Sequence, residues 1–404
     1  MAAVASRKGG LFFVYGYGGT GKTFLWKTLA SAVRCRGEIV LNVASSGIAS
    51  LLLPRGRTAH SCFHIPINLT EDSMCHIKPN SDIAILLKET QLIIWDEAPM
   101  VHKHAFEALD RTMSDVFSDG RGIRSDVPFG GKVFVFGGDF RQILPVIPNG
   151  TRQQIVCASL SSSYIWSKCK LLRLTKNMRL TIGADSSDMD SIRDFAKWLL
   201  DIGEGKLGDD NDGEAIIQIP GDLLITDNYD PIQSLIDFVY PSIMEQFWNP
   251  GDAKELVLKV GVHVMLLRNI DQQKGLCNGT RLKITFLGKR VIEAEVISGG
   301  NIGTRVFIPR LNMIPSDKKI PFKFQRRQFP LSVCFAMTIN KSQGQSLSKV
   351  GLYLKDPVFT HGQLYVALSR VKTREGVKIL IFDADEKPTN KTSNVVYKEV
   401  FGSL

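Results

Sequence analysis

The chain has 404 residues, of which 44% are apolar and 22% are charged, an ordinary balance for a globular protein of two or three domains. This composition excludes an intrinsically disordered chain and a collagen-like repeat, and no apolar run reaches the roughly 18 to 20 residues that span a bilayer. The seven cysteines form no CxxC pair. We therefore expect a soluble protein of a reducing compartment with free thiols and no membrane partner.

Charge is unevenly distributed along the chain. The formal net charge is +10, but residues 181–230 contain 13 acidic and 3 basic side chains, so the rest of the chain carries +20. A basic surplus of this size favours a polyanionic partner, most commonly nucleic acid, because each Lys or Arg on a phosphate releases condensed counterions. A solvated basic surface is the alternative that charge alone leaves open.

Short apolar runs that end in Gly, Asp or Ser alternate with helical stretches, which is the pattern of a parallel α/β sheet. The predicted strands of the first half are 11–15, 39–43, 92–95 and 133–136. A second series, which predicts a second sheet, lies at 332–337, 350–354 and 378–382. The runs between 256 and 330 are β-prone, punctuated by glycine and without helical period, so they predict a small β-barrel.

These elements predict an α/β protein of two lobes. The first lobe is expected at 1–180, with a small insertion at about 62–90. The second lobe is expected at 181–255 and 331–404, and the β-barrel at 256–330 is inserted into it. The acidic, glycine-rich stretch 203–221 is predicted to be a surface loop.

A nucleotide-binding loop is predicted at residues 16–23, where GYGGTGKT matches the GxxxxGK(S/T) pattern between an apolar strand and a helix-forming run. Its glycines let backbone N–H groups converge on phosphate oxygens, and the helix directs its positive end at them. Lys22 is expected to reach the β- and γ-phosphates of ATP, and the Thr23 hydroxyl to bind Mg²⁺.

Two carboxylates follow the predicted strand 92–95 and lie at the sheet edge where ligands of open α/β sheets bind. Asp96 is suited to hold Mg²⁺ together with Thr23, and Glu97 to polarise the water that attacks the γ-phosphate. An Asp-Glu pair alone is commonly a solvated strand end, but after a phosphate-binding loop it indicates hydrolysis. The predicted ATP-binding residues are Gly16, Gly18, Gly19, Thr20, Gly21, Lys22, Thr23 and Asp96.

Further motifs follow in order along the chain. They are SSGIASLLL with GRTAHS at 56–61, DEAPM at 96–100, PFGG at 128–131, FGGDFRQILPV at 136–146, NMR at 177–179, AMTINKSQGQSL at 336–347 and YVALSRV at 365–371. With these motifs the chain resembles the petite integration frequency (Pif) family of superfamily 1 DNA helicases, from residue 16 to 371. The resemblance implies two RecA-like P-loop lobes with a small β-barrel insertion in the second lobe, and ATP and Mg²⁺ as cofactors.

Three further residues are expected to join Glu97 in catalysis. Gln142 follows a predicted strand, so its amide is suited to sense the γ-phosphate or to hold the attacking water. Arg179 and Arg370 come later in the chain and reach the nucleotide only if the lobes close on it, as arginine fingers do. A surface ion pair is the alternative for either arginine.

Hydroxyl, amide and cationic donors recur in two of the motifs and suit contact with a nucleic-acid backbone rather than with base edges. In the Pif family the matching segments line the single-strand channel, and the resemblance implies that role here. For His60 alone, a structural histidine is the alternative. The predicted DNA-binding residues are Thr58, His60, Ser61, Thr338, Lys341, Ser342 and Gln343.

The resemblance implies an ATP-dependent DNA helicase that translocates 5′-to-3′ on single-stranded DNA and unwinds duplex DNA without sequence preference. Repair, recombination and telomere maintenance in the nucleus are the implied roles, with the mitochondrion as the alternative location. Gly16 lies close to the start of the sequence, whereas family members have a further adenine-contacting segment ahead of this loop. A truncated, unwinding-deficient ATPase that binds single strands, or a transposon-derived helicase fragment, is therefore the competing hypothesis. A small-molecule kinase would explain neither Arg370 nor the segment 336–347.

Overall fold

The computed structural model describes residues 1–118, 127–178, 186–209, 213–227, 229–241, 258–271, 274–298, 301–314, 325–402 and 404. Two compact units divide the chain. Residues 1–239 and 342–404 form the first unit, and residues 240–341 form the second. The α/β class predicted from the sequence is confirmed by a parallel sheet with helices in the first unit.

The strands are numbered in chain order. They are β1 (Gly10–Tyr15), β2 (Ile39–Ala44), β3 (Arg57–Thr58), β4 (Thr90–Asp96), β5 (Val133–Gly138), β6 (Cys169–Arg173), β7 (Glu214–Gln218), β8 (His263–Leu266), β9 (Arg281–Leu287), β10 (Val291–Val296), β11 (Arg305–Pro309), β12 (Leu311–Met313), β13 (Arg326–Gln328), β14 (Leu331–Val333), β15 (Val350–Leu354), β16 (Val377–Ile381) and β17 (Lys391–Val395).

Some of the α-helices begin at a residue whose side chain accepts a hydrogen bond from an N–H group of the first turn. Ser46 accepts a hydrogen bond from the N–H of Ala49, and Thr151 with Gln154 forms a reciprocal capping box. The helices are α1 (Ala2–Ser6), α2 (Lys22–Arg34), α3 (Gly47–Leu51), α4 (Ala59–Cys62), α5 (Asp82–Glu89), α6 (Lys103–Phe117), α7 (Arg152–Ala158), α8 (Ser186–Gly203), α9 (Pro231–Val239), α10 (Ile339–Ser342) and α11 (Gln363–Leu368).

A six-stranded, all-parallel sheet of order β3-β2-β4-β5-β1-β6 organises the first unit. Its central strands are buried on both faces, which is why they read as continuous apolar runs in the sequence. One face packs against Trp26 of α2. The other carries an aromatic cluster in which the rings of Trp95 and Phe106 lie 4.5 Å apart and those of Phe106 and Phe136 lie 5.5 Å apart.

The later part of the first unit contains two smaller strand pairs. β15 and β16 pair in parallel, close to the predicted strands 350–354 and 378–382, and β7 pairs antiparallel with β17. The prediction of a loop over 203–221 is therefore wrong for residues 214–218. Ala215 and Ile217 are buried there while their neighbours are exposed, a period of two that the acidic surroundings hid in the sequence.

An antiparallel sheet of order β11-β10-β9-β8-β14 forms most of the second unit, beside the pair β12 and β13. Among the described residues its pairings leave β11 and β14 at the two edges, so closure into a barrel is not confirmed. The run predicted as a strand of the second lobe, 332–337, instead contributes Leu331–Val333 to this sheet. Its apolar side chains pack on the core of the second unit.

Within the described residues, no helix combines the length and the apolar composition needed to cross a bilayer.

We expect Gly137→Ala to destabilise the first unit, because a Cβ there would lie 2.2 Å from the Trp26 ring. Overpacking of this kind costs about 1 to 3 kcal/mol. The matched control is Gly221→Ala, whose Cβ would meet no atom within 4 Å and should change stability by less than about 0.5 kcal/mol. Urea unfolding measures both changes, and equal midpoints for the two variants would contradict the packing described here.

Candidate active site

Residues 16–21 form a loop between β1 and α2. Gly19 and Gly21 have φ angles of +97° and +89°, which side chains other than glycine rarely allow, so this backbone path requires glycine at both positions. The Thr20 hydroxyl donates to the carbonyl oxygen of Tyr17 over 2.8 Å. The loop is therefore held in a curved shape by its own hydrogen bond and lies at the start of α2.

The predicted phosphate-binding side chains lie at this loop. Lys22 is the first residue of α2, and its ammonium group donates to the carbonyl oxygen of Gly16. Gly16 is required by space, because a Cβ there would lie 2.6 Å from Thr20 Oγ1, whereas Gly18 faces no atom within 4 Å. Thr23 follows, half-buried, in the first turn. Backbone N–H groups at a helix start, together with an ammonium group, form an anion-binding site.

Asp96 and Glu97 lie at the same edge of the sheet, where β4 ends. Asp96 is buried, and its Oδ1 accepts a hydrogen bond from the backbone N–H of Glu97 over 3.0 Å. Glu97 has a left-handed backbone, with φ +54° and ψ +37°. For a residue other than glycine this conformation costs about 1 to 3 kcal/mol and is concentrated at functional sites.

Burial raises the pKa of both carboxyl groups. The pKa of Glu97 rises to about 7, with a further contribution from the Asp96 carboxylate, while the charges of Lys22 and Arg370 act in the opposite direction. Burial also raises the pKa of Asp96, and Lys22 again opposes the rise. Lys22 therefore acts on both carboxylates, and Arg370 lies close enough to act on Glu97, although the two residues are far apart in the sequence.

Gln142 follows β5 and is buried. Its Oε1 accepts a hydrogen bond from Nε2 of Gln343 over 2.9 Å. Gln343, also buried, was predicted to bind DNA, and in the structure its amide contacts the residue predicted to sense the γ-phosphate. A hydrogen bond thus joins one DNA-binding motif to the nucleotide side of the sheet.

A buried carboxylate next to Gln142 connects three parts of the first unit. Asp139 is fully buried, and its Oδ1 accepts hydrogen bonds from Nη1 and the backbone N–H of Arg141, both over 3.1 Å. Its Oδ2 accepts one from the Tyr365 hydroxyl of α11 over 2.8 Å. Arg141 in turn donates from Nε to Glu204, at the end of α8, over 3.0 Å. These residues form the interaction that we call the Asp139 network.

His361 adds a second connection beside the Asp139 network. Its Nε2 lies 2.7 Å from the carbonyl oxygen of Phe140, and its Nδ1 lies 2.8 Å from the backbone nitrogen of Tyr397. Because a backbone N–H can only donate, Nδ1 accepts and the ring proton is on Nε2, which donates to Phe140. Burial lowers the pKa of His361 to about 4, so the imidazole is neutral near pH 7.

The two predicted arginine fingers have different outcomes. Arg370 is buried, and its Nε donates to the carbonyl oxygen of Val366 over 2.7 Å. This bond holds the guanidinium group on α11, from which its charge acts on the carboxylate described above. Arg179 lies outside the described residues. Directly before it, the N–H of Met178 donates to the carbonyl oxygen of Gly19 over 2.9 Å, so the chain passes the phosphate-binding loop at that point.

The first group of predicted DNA-binding residues lies at the end of β3 and on α4. Thr58 is half-buried at the start of α4, and Ser61 is exposed on it. His60 is more enclosed, and burial lowers its pKa. Arg57, the residue before Thr58, donates from Nη2 to Ser61 Oγ over 3.5 Å.

The second group divides between the two compact units. Thr338 and Lys341 are exposed and belong to the second unit, where the N–H of Lys341 donates to the carbonyl oxygen of Thr338 over 3.0 Å. Ser342 and Gln343 are buried and belong to the first unit.

The sequence predicted a catalytic role for Gln142, which stays a prediction, and gave no prediction for the Asp139 network or for His361. Asp139 and Arg141 carried a usable signal, because they follow a buried strand as Asp96 does and were already inside a recognised motif. Tyr365 opened a recognised motif, but neither it nor His361 could be linked to this network, since their hydrogen-bond partners belong to a distant part of the sequence.

A family model described as PIF1-like helicase matches residues 1–213, more than half of the chain. The chain belongs to the PIF1-like helicase family. A second model, described as the 2B domain of DNA helicase Pif1, matches residues 250–287, which overlap the antiparallel sheet of the second unit.

Relatives in the PIF1-like helicase family include vertebrate and bacterial proteins. The human ATP-dependent DNA helicase PIF1 is 26% identical over 93% of this chain and 59% of its own length, and the Xenopus laevis protein is 28% identical over 92% and 59%. The ATP-dependent DNA helicase Pif1 of Bdellovibrio bacteriovorus is 26% identical over 93% of this chain and 85% of its own length. The chain thus spans about three fifths of the length of the vertebrate relatives.

Solved structures of the family share the fold. Bacteroides Pif1 in complex with ADP-AlF3 and single-stranded DNA superposes with a TM-score of 0.62 at 25% identity, covering 94% of this chain and 90% of that one. Candida albicans Pif1 reaches 0.65 at 22% identity, covering 99% and 96%. The prediction of an α/β protein with RecA-like lobes is therefore confirmed.

We expect kcat/KM for ATP to fall as the pH drops through about 7, where Glu97 of the free enzyme is half protonated. Because the pKa is raised, the Glu97 carboxylate, which we predict to accept the proton of water, is present above this pH and lost below it. Steady-state ATPase rates across the pH range measure the effect.

Two variants control that experiment. Glu97→Gln should lose most of the turnover and the acid limb with it, whereas Glu71→Gln, which replaces an exposed carboxylate, should keep both. A wild-type rate that stays constant from about pH 5.5 to 8 would contradict the role of Glu97 as the base.

We expect Arg370→Ala to lower kcat by about a thousandfold or more, the usual effect of an arginine that stabilises phosphoryl-transfer charge, with a much smaller effect on ATP affinity. Arg374→Ala is the matched control, because Arg374 pairs with Asp222 at the surface. Single-turnover rates and nucleotide titrations separate the two quantities. Equal losses of affinity and turnover would assign Arg370 a structural role.

Proposed function

We propose that the chain is an ATP-driven motor that moves along single-stranded DNA and separates duplex DNA. The observation that carries this proposal is the convergence of Lys22, the Asp96–Glu97 pair and the charge of Arg370. A protein that only binds nucleotide gains nothing from a carboxyl group with a pKa near 7 beside the phosphate site.

Each residue of the site has a defined task in ATP hydrolysis. The loop N–H groups and Lys22 hold the phosphates, Glu97 takes the proton of the attacking water, and Gln142 orients that water. Arg370 stabilises the charge that develops on the γ-phosphate. Mg²⁺ favours oxygen ligands such as the Thr23 hydroxyl and the Asp96 carboxylate, which fit it, and when bound it neutralises phosphate charge.

Coupling between nucleotide and DNA is supported by the hydrogen bond between Gln142 and Gln343. A change at the γ-phosphate that moves Gln142 breaks or reorients this bond and alters the position of the motif that contains Gln343. The Asp139 network and His361 are contacts that can differ between nucleotide states, as a conformational cycle requires.

DNA as the partner is supported by charge and by relatives. Residues 240–341 contain 16 basic and 7 acidic side chains, a net charge of +9 against +10 for the whole chain, and such an excess of positive charge suits binding to a polyanion. Bacteroides Pif1 was solved bound to single-stranded DNA, and another Pif1 structure is described as the structural basis for DNA unwinding at forked duplex DNA. Backbone-binding donors at Thr58, Ser61, Thr338 and Lys341 suit binding without sequence preference.

The direction and the cellular roles follow from the family resemblance. We propose 5′-to-3′ translocation, and roles in repair, recombination and telomere maintenance in the nucleus, with the mitochondrion as the alternative location. An ATPase that binds single strands without separating duplexes is the competing function, and one assay distinguishes the two.

We expect single-stranded DNA to stimulate ATP hydrolysis, and a duplex with a 5′ tail, but not one with a 3′ tail, to be unwound in an ATP-dependent manner. A strand-displacement gel measures unwinding and direction together. Lys22→Ala, which removes the ammonium group from the phosphate loop, is the inactive control. Stimulation without displacement would support the competing function, and unwinding of the 3′-tailed duplex alone would reverse the proposed direction.

A further inference from the structure

A cavity of about 600 Å³ lies along the open edge of β2, away from the phosphate loop. It forms because β3 is only two residues long and pairs with Val43 and Ala44, so no described strand lies beside β2 residues 39–42 on that edge. Three arginines are among the residues that line the cavity, Arg34, Arg55 and Arg57.

The positive charge of this cavity exceeds its negative charge, because Arg34, Arg55 and Arg57 line it with a single acidic residue, Glu38. Within the described ranges, none of the three arginines has a carboxylate oxygen within 4.0 Å. Arg34 makes only long hydrogen bonds from Nη2, at 3.4 Å, to the carbonyl oxygens of Val40 and Pro54. Burial and the charge of Arg55 lower the pKa of Arg34. An excess of positive charge that forms no close ion pair favours an anionic ligand.

The cavity also contains two hydrogen-bond acceptors without partners in the described part of the chain. Asn42 is 3% exposed, and its amide nitrogen donates to the carbonyl oxygen of Pro54 over 2.8 Å, but its Oδ1 accepts nothing. The buried Oε2 of Glu38 is likewise without a donor. Buried acceptors are normally satisfied, so a ligand that fits this cavity brings N–H groups as well as negative charge. The HPO4²⁻ ion has a single O–H group, so it alone would leave at least one of the two acceptors unsatisfied.

We propose that this cavity binds one nucleotide unit, with its phosphate on Arg34, Arg55 and Arg57 and the N–H groups of its base on Asn42 Oδ1 and Glu38 Oε2. A nucleotide has both of the properties that suit these lining residues, because its phosphate is an anion and its planar base carries N–H donors. The chemistry is the same for a nucleotide within a strand and for a free nucleotide.

The structure favours the strand as the source. Arg57 directly precedes Thr58 and donates to Ser61, so the cavity adjoins the β3–α4 segment that the proposed function assigns to DNA. A strand held by that segment would continue to the cavity along the edge of β2. This part of the inference rests on the proposed function, whereas the binding of a free nucleotide does not.

Binding of a DNA strand to the cavity is tested with the variant Arg55→Gln. Arg55 is exposed, so the variant should fold normally, and a thermal melt checks this. Affinity for a fluorescent single-stranded oligonucleotide is measured against salt. The slope of log K against log salt should become shallower by about 0.7, the value for one lost phosphate contact on a single strand. Arg36→Gln is the matched control, because Arg36 is exposed at the same end of α2 and does not line the cavity.

The free nucleotide is tested with dCMP, in competition with inorganic phosphate. Binding of dCMP that survives Lys22→Ala, and is lost in Arg55→Gln, places the nucleotide in the cavity rather than at the phosphate loop. A shallower oligonucleotide slope without dCMP binding identifies the strand as the source. Inorganic phosphate that competes as well as dCMP would overturn the assignment of Asn42 and Glu38.

The outcomes separate this inference from the proposed function. If wild-type protein binds the oligonucleotide with a steep salt dependence, and Arg55→Gln changes neither the slope nor dCMP binding, the cavity site is wrong and the motor proposal stands. If wild-type protein binds no oligonucleotide, the motor proposal fails, while the dCMP titration still decides the cavity.

Discussion

The first unit depends on a carboxylate that has no access to water. An isolated charge at the position of Asp139 would be strongly unfavourable, and it is tolerated because Arg141 and Tyr365 donate to both of its oxygens. These donors come from the loop after β5 and from α11, which lie in the first and the last part of the unit's sequence. The correct placement of Asp139 therefore requires both halves of the unit to be assembled.

Burial also determines the acidity of the carboxyl group that follows the neighbouring strand, β4. Burial in a sheet covered on both faces raises the pKa of Glu97 toward neutrality, and the positive charges of Lys22 and Arg370 limit the rise. The left-handed backbone at Glu97, directly after the last residue of β4, is an unfavourable conformation for this residue. The fold therefore contains a local loss of stability at Glu97, whose carboxyl group lies beside the predicted phosphate site.

The sequence predicted those features that depend on local pattern. Buried parallel strands are apolar along their whole length, so β1, β2, β4 and β5 were found within about two residues, and the glycine spacing identified the phosphate loop. The prediction from sequence failed where tertiary contacts determine the structure. The run near residue 332 is equally apolar in either sheet, and only pairing with β8 assigns it to the second unit.

The site residues also divide into those that a local pattern predicts and those that depend on tertiary contacts. Lys22, Asp96 and Glu97 are fixed by strand ends and by a motif, and the charge of Arg370 does act on Glu97. The cavity beside β2 has no sequence signature, because it arises from the shortness of β3 and from side chains on three separate elements. Asp139 lay inside a motif, yet its burial could not be inferred without knowing that Tyr365 reaches it.

His361 has a consequence for the protein in acid. Its imidazole remains uncharged down to about pH 4, so within folded molecules the hydrogen bonds to Phe140 and Tyr397 persist at acidities where Glu97 already carries a proton. On the proposed mechanism, hydrolysis would stop in folded molecules whose two halves are still joined, although below about pH 6.5 the unfolded chain gains a proton on His361 and folding becomes less favourable. Such molecules would be folded but inactive, and a return to neutral pH would restore hydrolysis without refolding.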